Sequence, residues 1–162
     1  MTTARGKKAF WITVAVALIP TIGMTVFAWR MVGGVRRDAA QTDTRLRALA
    51  WSCLAYADAF GGFPMSEAEM RGFTPPDALA TAGDGYPATR AAALGGTAAG
   101  GAAAGSTPAP TLDECLESIE VEWPALRDVQ PILRSKGKPT LQGTAPTVGQ
   151  WLYAMTERIR KG

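Results

Sequence analysis

Five carboxylates crowd into one short stretch, at Asp113, Glu114, Glu117, Glu120 and Glu122, and they are the densest group of chemistry-bearing side chains in the chain. A calcium loop needs several oxygens converging at alternating positions, with a glycine where the loop turns. Here the acids fall on a predicted helix and a predicted short strand, and the glycine is missing, so the pattern reads as a solvated acidic face. Histidine is absent. That removes Ser-His-Asp and Cys-His nucleophile systems and every histidine-dependent zinc site. Gly95-Gly96 and Gly100-Gly101 lack the Lys-Ser/Thr that follows a phosphate loop and the strand–helix setting of a dinucleotide fold. Ser52 and Ser66 have no base partner in the sequence, and nothing marks a carboxylate pair as buried for glycoside chemistry. The expectation is a protein that is not an enzyme and has no cofactor and no metal.

Two cysteines remain, Cys53 and Cys115, too few for a four-thiolate site. In an oxidising compartment the two can form a disulfide, and on two helix faces they can equally be small buried thiols. The charge balance excludes a further class. Arg5, Lys7, Lys8, Arg30, Arg36 and Arg37 are the only charges in residues 1–37, giving +6. The other 11 basic residues of residues 38–162 stand against all 14 acidic ones, giving −3. A basic pI near 9.1 therefore does not describe a nucleic-acid footprint, because the larger part of the chain is mildly acidic.

The element that must carry the basic excess is the uncharged run of 21 residues from Ala9 to Trp29. About 20 apolar residues in a helix match a hydrocarbon core of about 30 Å. Trp11 and Trp29 stand near the two ends, where indole rings favour headgroups, and Arg5, Lys7, Lys8, Arg30, Arg36 and Arg37 flank them as membrane-interface residues. The same residues fit a signal peptide cleaved after Ala28, since Val26-Phe27-Ala28 meets the small-residue rule. That would release a secreted soluble domain. The run exceeds a usual signal core and carries Trp at both ends, so an uncleaved anchor is the preferred expectation: a basic cytoplasmic tail at 1–8, a transmembrane helix at 9–32 and a C-terminal domain in the periplasm. The lipid bilayer is then one partner.

Beyond the run, Gly33-Gly34 is predicted to soften or break the helix. Leu46, Leu49, Cys53, Ala57 and Phe60 then recur at spacings of three and four, and Gly61-Gly62 closes this amphipathic helix. Residues 33–87 make a helix-and-turn module in which Ser66 and Glu69 read as a capping box for a short helix at Glu67 to Arg71. Residues 88–110 collapse into Ala, Gly, Thr and Pro and are predicted to be a disordered linker. In residues 111–162, Thr111 can cap a helix carrying Leu112, Cys115, Leu116 and Ile119, and Glu120 to Trp123 alternates like a short strand. One or two helical turns are expected around Ile132 and Leu133. Thr147 and Gln150 read as the capping box of a last helix with Val148, Trp151, Leu152, Met155 and Ile159 on its apolar face. The fold class expected is mainly α with a small α(+β) domain behind the transmembrane helix, and the last helix is expected to pack on the first.

One stretch carries a family likeness. Tyr56, Gly61, Phe63 and Pro64 end the long helix at offsets of zero, five, seven and eight, and Ser66-Glu67 follows. This resembles the type IV pilin-like superfamily, in particular the major pseudopilin of bacterial type II secretion systems, where a Leu/Ala-rich helix closes with Tyr, Gly, an aromatic residue and Pro. The likeness covers about residues 9–70. It departs at the start, because Gly6-Lys7-Lys8-Ala9-Phe10 lacks the prepilin cleavage junction and no acid occurs in residues 1–37. The resemblance implies a structural, single-pass subunit of the bacterial inner membrane that packs against other subunits, the same or different, in a secretion or pilus-type assembly. An accessory subunit docked on a larger integral-membrane complex fits the same residues.

Overall fold

The computed structural model describes residues 3–81, 83–95 and 109–161, with side chains from Met24 onward except at 25 and 26. Two compact units divide the chain, Met1–Arg37 and Asp38–Gly162. The elements are α1 (Thr3–Phe60), α2 (Glu67–Arg71), α3 (Arg90–Ala93), α4 (Leu112–Ser118), β1 (Ile119–Glu122), β2 (Ile132–Ser135) and α5 (Thr144–Lys161).

The first unit corrects two expectations. Among the described residues, no helix is long and apolar enough to cross a membrane, which overturns the N-terminal transmembrane helix. From Met24 onward the physical reason is charge spacing. Every 18-residue window between Met24 and Phe60 holds at least three charged side chains, and the leanest still contains Asp43, Arg45 and Arg47. The side chains from Ala9 to Gly23 lie outside the described residues. The second correction concerns the joint at Gly33-Gly34, where α1 continues without a break. Two glycines cost about 2 kcal/mol against alanine, but continuing a formed helix adds a hydrogen bond per residue while restarting one requires a new nucleus.

In the second unit the 3.6-residue stripe of α1 is the spine of the core. Leu46, Leu49, Cys53 and Ala57 are buried with Phe63, Met70, Cys115, Ile119, Val148, Leu152 and Met155 in one cluster. Each large apolar side chain so covered contributes about 1.5–3 kcal/mol before the entropy cost of ordering it. The last helix therefore does lie on the stripe, with Val148, Leu152 and Met155 inward and Trp151 and Ile159 half covered. Arg47 of α1 also stands over the Trp151 ring, 5.8 Å from its centroid.

Local chemistry explains most of the element boundaries. Thr111 and Glu114 form a reciprocal capping box at α4. Ser66 caps α2, but the Glu69 carboxylate reaches past the cap to accept from Met65 N–H at 3.0 Å. α5 starts three residues before the expected Thr147, whose hydroxyl instead donates to the Gly143 carbonyl at 2.7 Å. Asp43 anchors the approach to the helix, accepting from Leu141 N–H at 3.1 Å and from the Thr144 hydroxyl at 2.7 Å. Pro146 sits in the first turn, where an N–H has no intrahelical partner to lose.

The stretch around Ile132 and Leu133 is a strand, not helical turns. β2 pairs antiparallel with β1, with Val121 opposite Leu133 and Glu120 opposite Arg134. Pro131 disfavours helix in the residue before it, and pairing with β1 turns Val121 and Leu133 to the covered side while Glu120, Glu122, Ile132 and Arg134 face out. At the front of the Ala/Gly tract, Thr89 pairs with Ala78 in an isolated bridge and caps α3, and Ala93 is fully buried. Local capping holds residues 88–95 in place, whereas residues 96–108 lie outside the described residues.

Candidate functional site

The four residues that carried the family likeness come together at the exit of α1. Gly61 adopts φ +70° and donates its N–H to the Ala57 carbonyl at 2.9 Å, the left-handed cap that ends the helix. Gly62 follows so close to the loop after β1 that a Cβ there would stand 2.7 Å from the Arg127 Cβ. Phe63 and Pro64 are fully buried, and Phe63 N–H donates to the Arg127 carbonyl at 2.8 Å.

Tyr56 lies under this turn, buried, and packs its ring against Phe60 and Phe73 at centroid distances of 4.5 and 5.3 Å. Its hydroxyl donates to Glu69 at 3.0 Å and accepts from Arg127 at 3.2 Å, while Arg127 also pairs with Glu69 at 2.8 Å. The three side chains close a triangle over the helix end. The Met65 N–H first, and then the Tyr56 hydroxyl and Arg127, hold the Glu69 carboxyl below its ordinary range against the opposing effect of burial. The Tyr56 hydroxyl, both Glu69 oxygens and two Arg127 nitrogens are engaged in holding one another, so the triangle acts as a clasp. Neither Glu69 nor Arg127 is visible from sequence as a partner of Tyr56: Glu69 read only as a helix cap, and Arg127 lies 71 residues away.

A second clasp holds the opposite side of α1. The Asp58 side chain, only 4 % exposed, pairs with Arg158 at 2.9 Å, and accepts from Ala80 N–H at 2.7 Å and from the Thr81 hydroxyl. Arg158 also donates to the Tyr86 hydroxyl at 3.0 Å. Burial alone would raise the Asp58 pKa, but the bonds from Thr81, Arg158 and Ala80 outweigh it and leave the carboxyl below its ordinary value.

The remaining predicted residues are dispersed. Cys53 and Cys115 are free and buried, so the disulfide reading is replaced by the buried-thiol one. Burial pushes the Cys53 thiol up to about 12 and Cys115 up to about 11, the latter against the opposing pull of Arg45. Of the acidic group, Glu114 caps α4 and Asp113 pairs with Arg71 at 2.8 Å, while Glu117, Glu120 and Glu122 face solvent. Among the described residues no three metal-ligating side chains gather. Trp29, Arg30, Arg36 and Arg37 are exposed on α1, and the side chains of Arg5, Lys7, Lys8 and Trp11 lie outside the described residues.

The exposed apolar side chains of α1 include a row at helical spacing, with Phe27, Trp29 and Val32 also exposed on flanking faces. Met24 is 77 % exposed, and Met31 and Val35 are each more than half exposed; with Ala28 they follow one another at steps of four, three and four. Compared with known protein families, curated proteins and solved structures, the chain matches none.

Proposed function

We propose that the chain is a non-enzymatic structural subunit of a secretion or pilus-type assembly, carrying the Asp38–Lys161 head on α1 and packing on neighbouring subunits through the stripe Met24, Ala28, Met31 and Val35. The observation that supports this reading most is that stripe, because large apolar side chains in a regular helical row lose free energy by remaining in water. The clasps at Tyr56 and Asp58 fit the same role. They fix where the head begins relative to the last turns of α1, as a subunit repeated or fitted in an assembly requires.

The test is crosslinking of the full chain in the cells that make it, from single cysteines placed in turn at residues 24 to 35. The native thiols stay protonated and buried, so each introduced thiol reacts alone. Adducts should recur at 24, 28, 31 and 35 and fall away at Trp29 and Gly33, which lie on other faces. Only monomer at every position would sink the reading.

A further inference from the structure

We propose that Arg45 and Lys138 form a binding site for a phosphate group, carried by free phosphate or by a phosphorylated lipid headgroup. The site belongs to the Asp38–Gly162 unit and goes beyond the assembly role proposed above. Its floor is Ser118, the last residue of α4, which is fully buried. The Ser118 hydroxyl accepts from the Arg45 guanidinium on α1 and from the Lys138 ammonium at 3.1 Å. Lys138 arrives from the turn after β2, where Gly137 takes φ +65°. One neutral oxygen thus holds two cations, which puts their nitrogens within about 6 Å of each other. Arg45 is half-buried and Lys138 is exposed, so the pair opens to solvent on the lysine side.

No carboxylate offsets this pair. Neither Arg45 nor Lys138 has an ion pair among the described residues, although all 14 acidic residues fall within them. The acids nearest to Arg45 are engaged elsewhere. Glu114 accepts from Thr111 N–H at 2.7 Å, and Asp43 from Leu141 N–H and the Thr144 hydroxyl. Lys136 donates to the Leu116 carbonyl at 2.5 Å and complements the C-terminus of α4, whereas the hydroxyl shared by Arg45 and Lys138 brings no charge. Arg90 supplies an independent observation. It acts on the same face of α4, since it and Arg45 both pull the Cys115 thiol down, and Cys115 stands one turn before Ser118. The Arg90 Nε is buried and has no hydrogen-bond partner among the described residues. Like charges this close repel unless an anion lies between them. A carboxylate balances one of the two cations; a phosphate dianion balances both and offers several oxygens to guanidinium and ammonium donors.

The first probe is inorganic phosphate, titrated into the full chain in chloride buffer at fixed ionic strength and read by isothermal titration calorimetry. The basic N-terminal stretch also attracts anions, so the site is read as the difference between the parent and Lys138→Gln. Lys138 is exposed, so its change leaves the core intact, and unreactive Cys53 reports that the head stays folded. Lys138→Gln should weaken phosphate binding about tenfold or more, as should Arg45→Gln, while Lys161→Gln should leave it unchanged. Acetate should bind at least about tenfold more weakly than phosphate. Vesicles of phosphatidic acid in phosphatidylcholine then identify the source. Retention that falls with Lys138→Gln assigns the site to a lipid headgroup, and retention that does not change assigns it to free phosphate. The inference is overturned if neither inorganic phosphate nor the vesicles bind, if Lys138→Gln alters neither, or if acetate binds as tightly as phosphate.

Discussion

Two adjacent glycines at the helix exit do different jobs, and substitution separates them. Gly61 has φ +70° and open space around a would-be Cβ, so Gly61→Ala carries only the conformational cost of about 1 kcal/mol. At Gly62 the obstacle is the Arg127 Cβ at 2.7 Å and its carbonyl at 3.1 Å, so Gly62→Ala must displace the loop that supplies the clasp. Overpacking of this kind costs about 1–3 kcal/mol. Urea midpoints of the two variants should therefore fall in the order parent, Gly61→Ala, Gly62→Ala. The reverse order would place the strain in the helix cap instead. Asp58 gives a pH-dependent counterpart. Its folded pKa is below its unfolded value, so its stabilisation is complete above the ordinary aspartate pKa near 4 and is lost as pH falls through the depressed folded one. Glu69 shifts in the same direction and adds to the acid limb. Asp58→Asn should lower stability at neutral pH by about 1–3 kcal/mol and flatten the fall in acid, read by urea titrations from pH 7 downward. An unchanged acid limb would show that Asp58 is not among the groups that drive it.

At the scale of elements, legibility followed the range of the interaction that sets each one. Thr111 with Glu114 and the Leu46–Ala57 stripe act within four residues, so their helices could be read from the sequence. β2 could not, because its pairing with β1 couples residues such as Val121 and Leu133, and Ile132-Leu133 alone suits helix or strand. The early start of α5 escaped for the same reason: the Thr144 hydroxyl that opens it is held by Asp43, about a hundred residues upstream. Gly33-Gly34 misled in the other direction, since a propensity penalty is smaller than the cost of interrupting and renucleating a long helix. That explanation is testable. Nothing lies within 4 Å of a Cβ at either glycine, so Gly33→Ala and Gly34→Ala should each strengthen α1 locally by about 1 kcal/mol. Hydrogen exchange should slow at residues 30–37 in both variants. Exchange that quickens would mean the alanine methyl meets something the helix otherwise avoids.

For the molecule as a whole, the head depends on contacts far apart in sequence. Its core joins α1 to α4 and α5, and the two clasps tie Tyr56 and Asp58 to Arg127 and Arg158. A core drawn from such distant segments should open as one unit, and Cys53 at its centre is a reporter already in place. Its thiol is fully buried and pushed up to about 12, so it is neither accessible nor ionised in the folded head. With Ellman's reagent in excess, Cys53 should react only through molecules whose head has unfolded. The labelling rate should then rise with urea along the same slope as equilibrium unfolding followed by circular dichroism. Cys115, tied to the same cluster, should follow the same dependence when each thiol is measured in a Cys→Ala background of the other. Tyr56→Phe removes the hydroxyl between Glu69 and Arg127, and should shift both curves together by about 1 kcal/mol. If Cys115 were labelled with a shallower slope than Cys53, α4 would open separately from the α1–α5 packing, and the head would be two cooperative units instead of one.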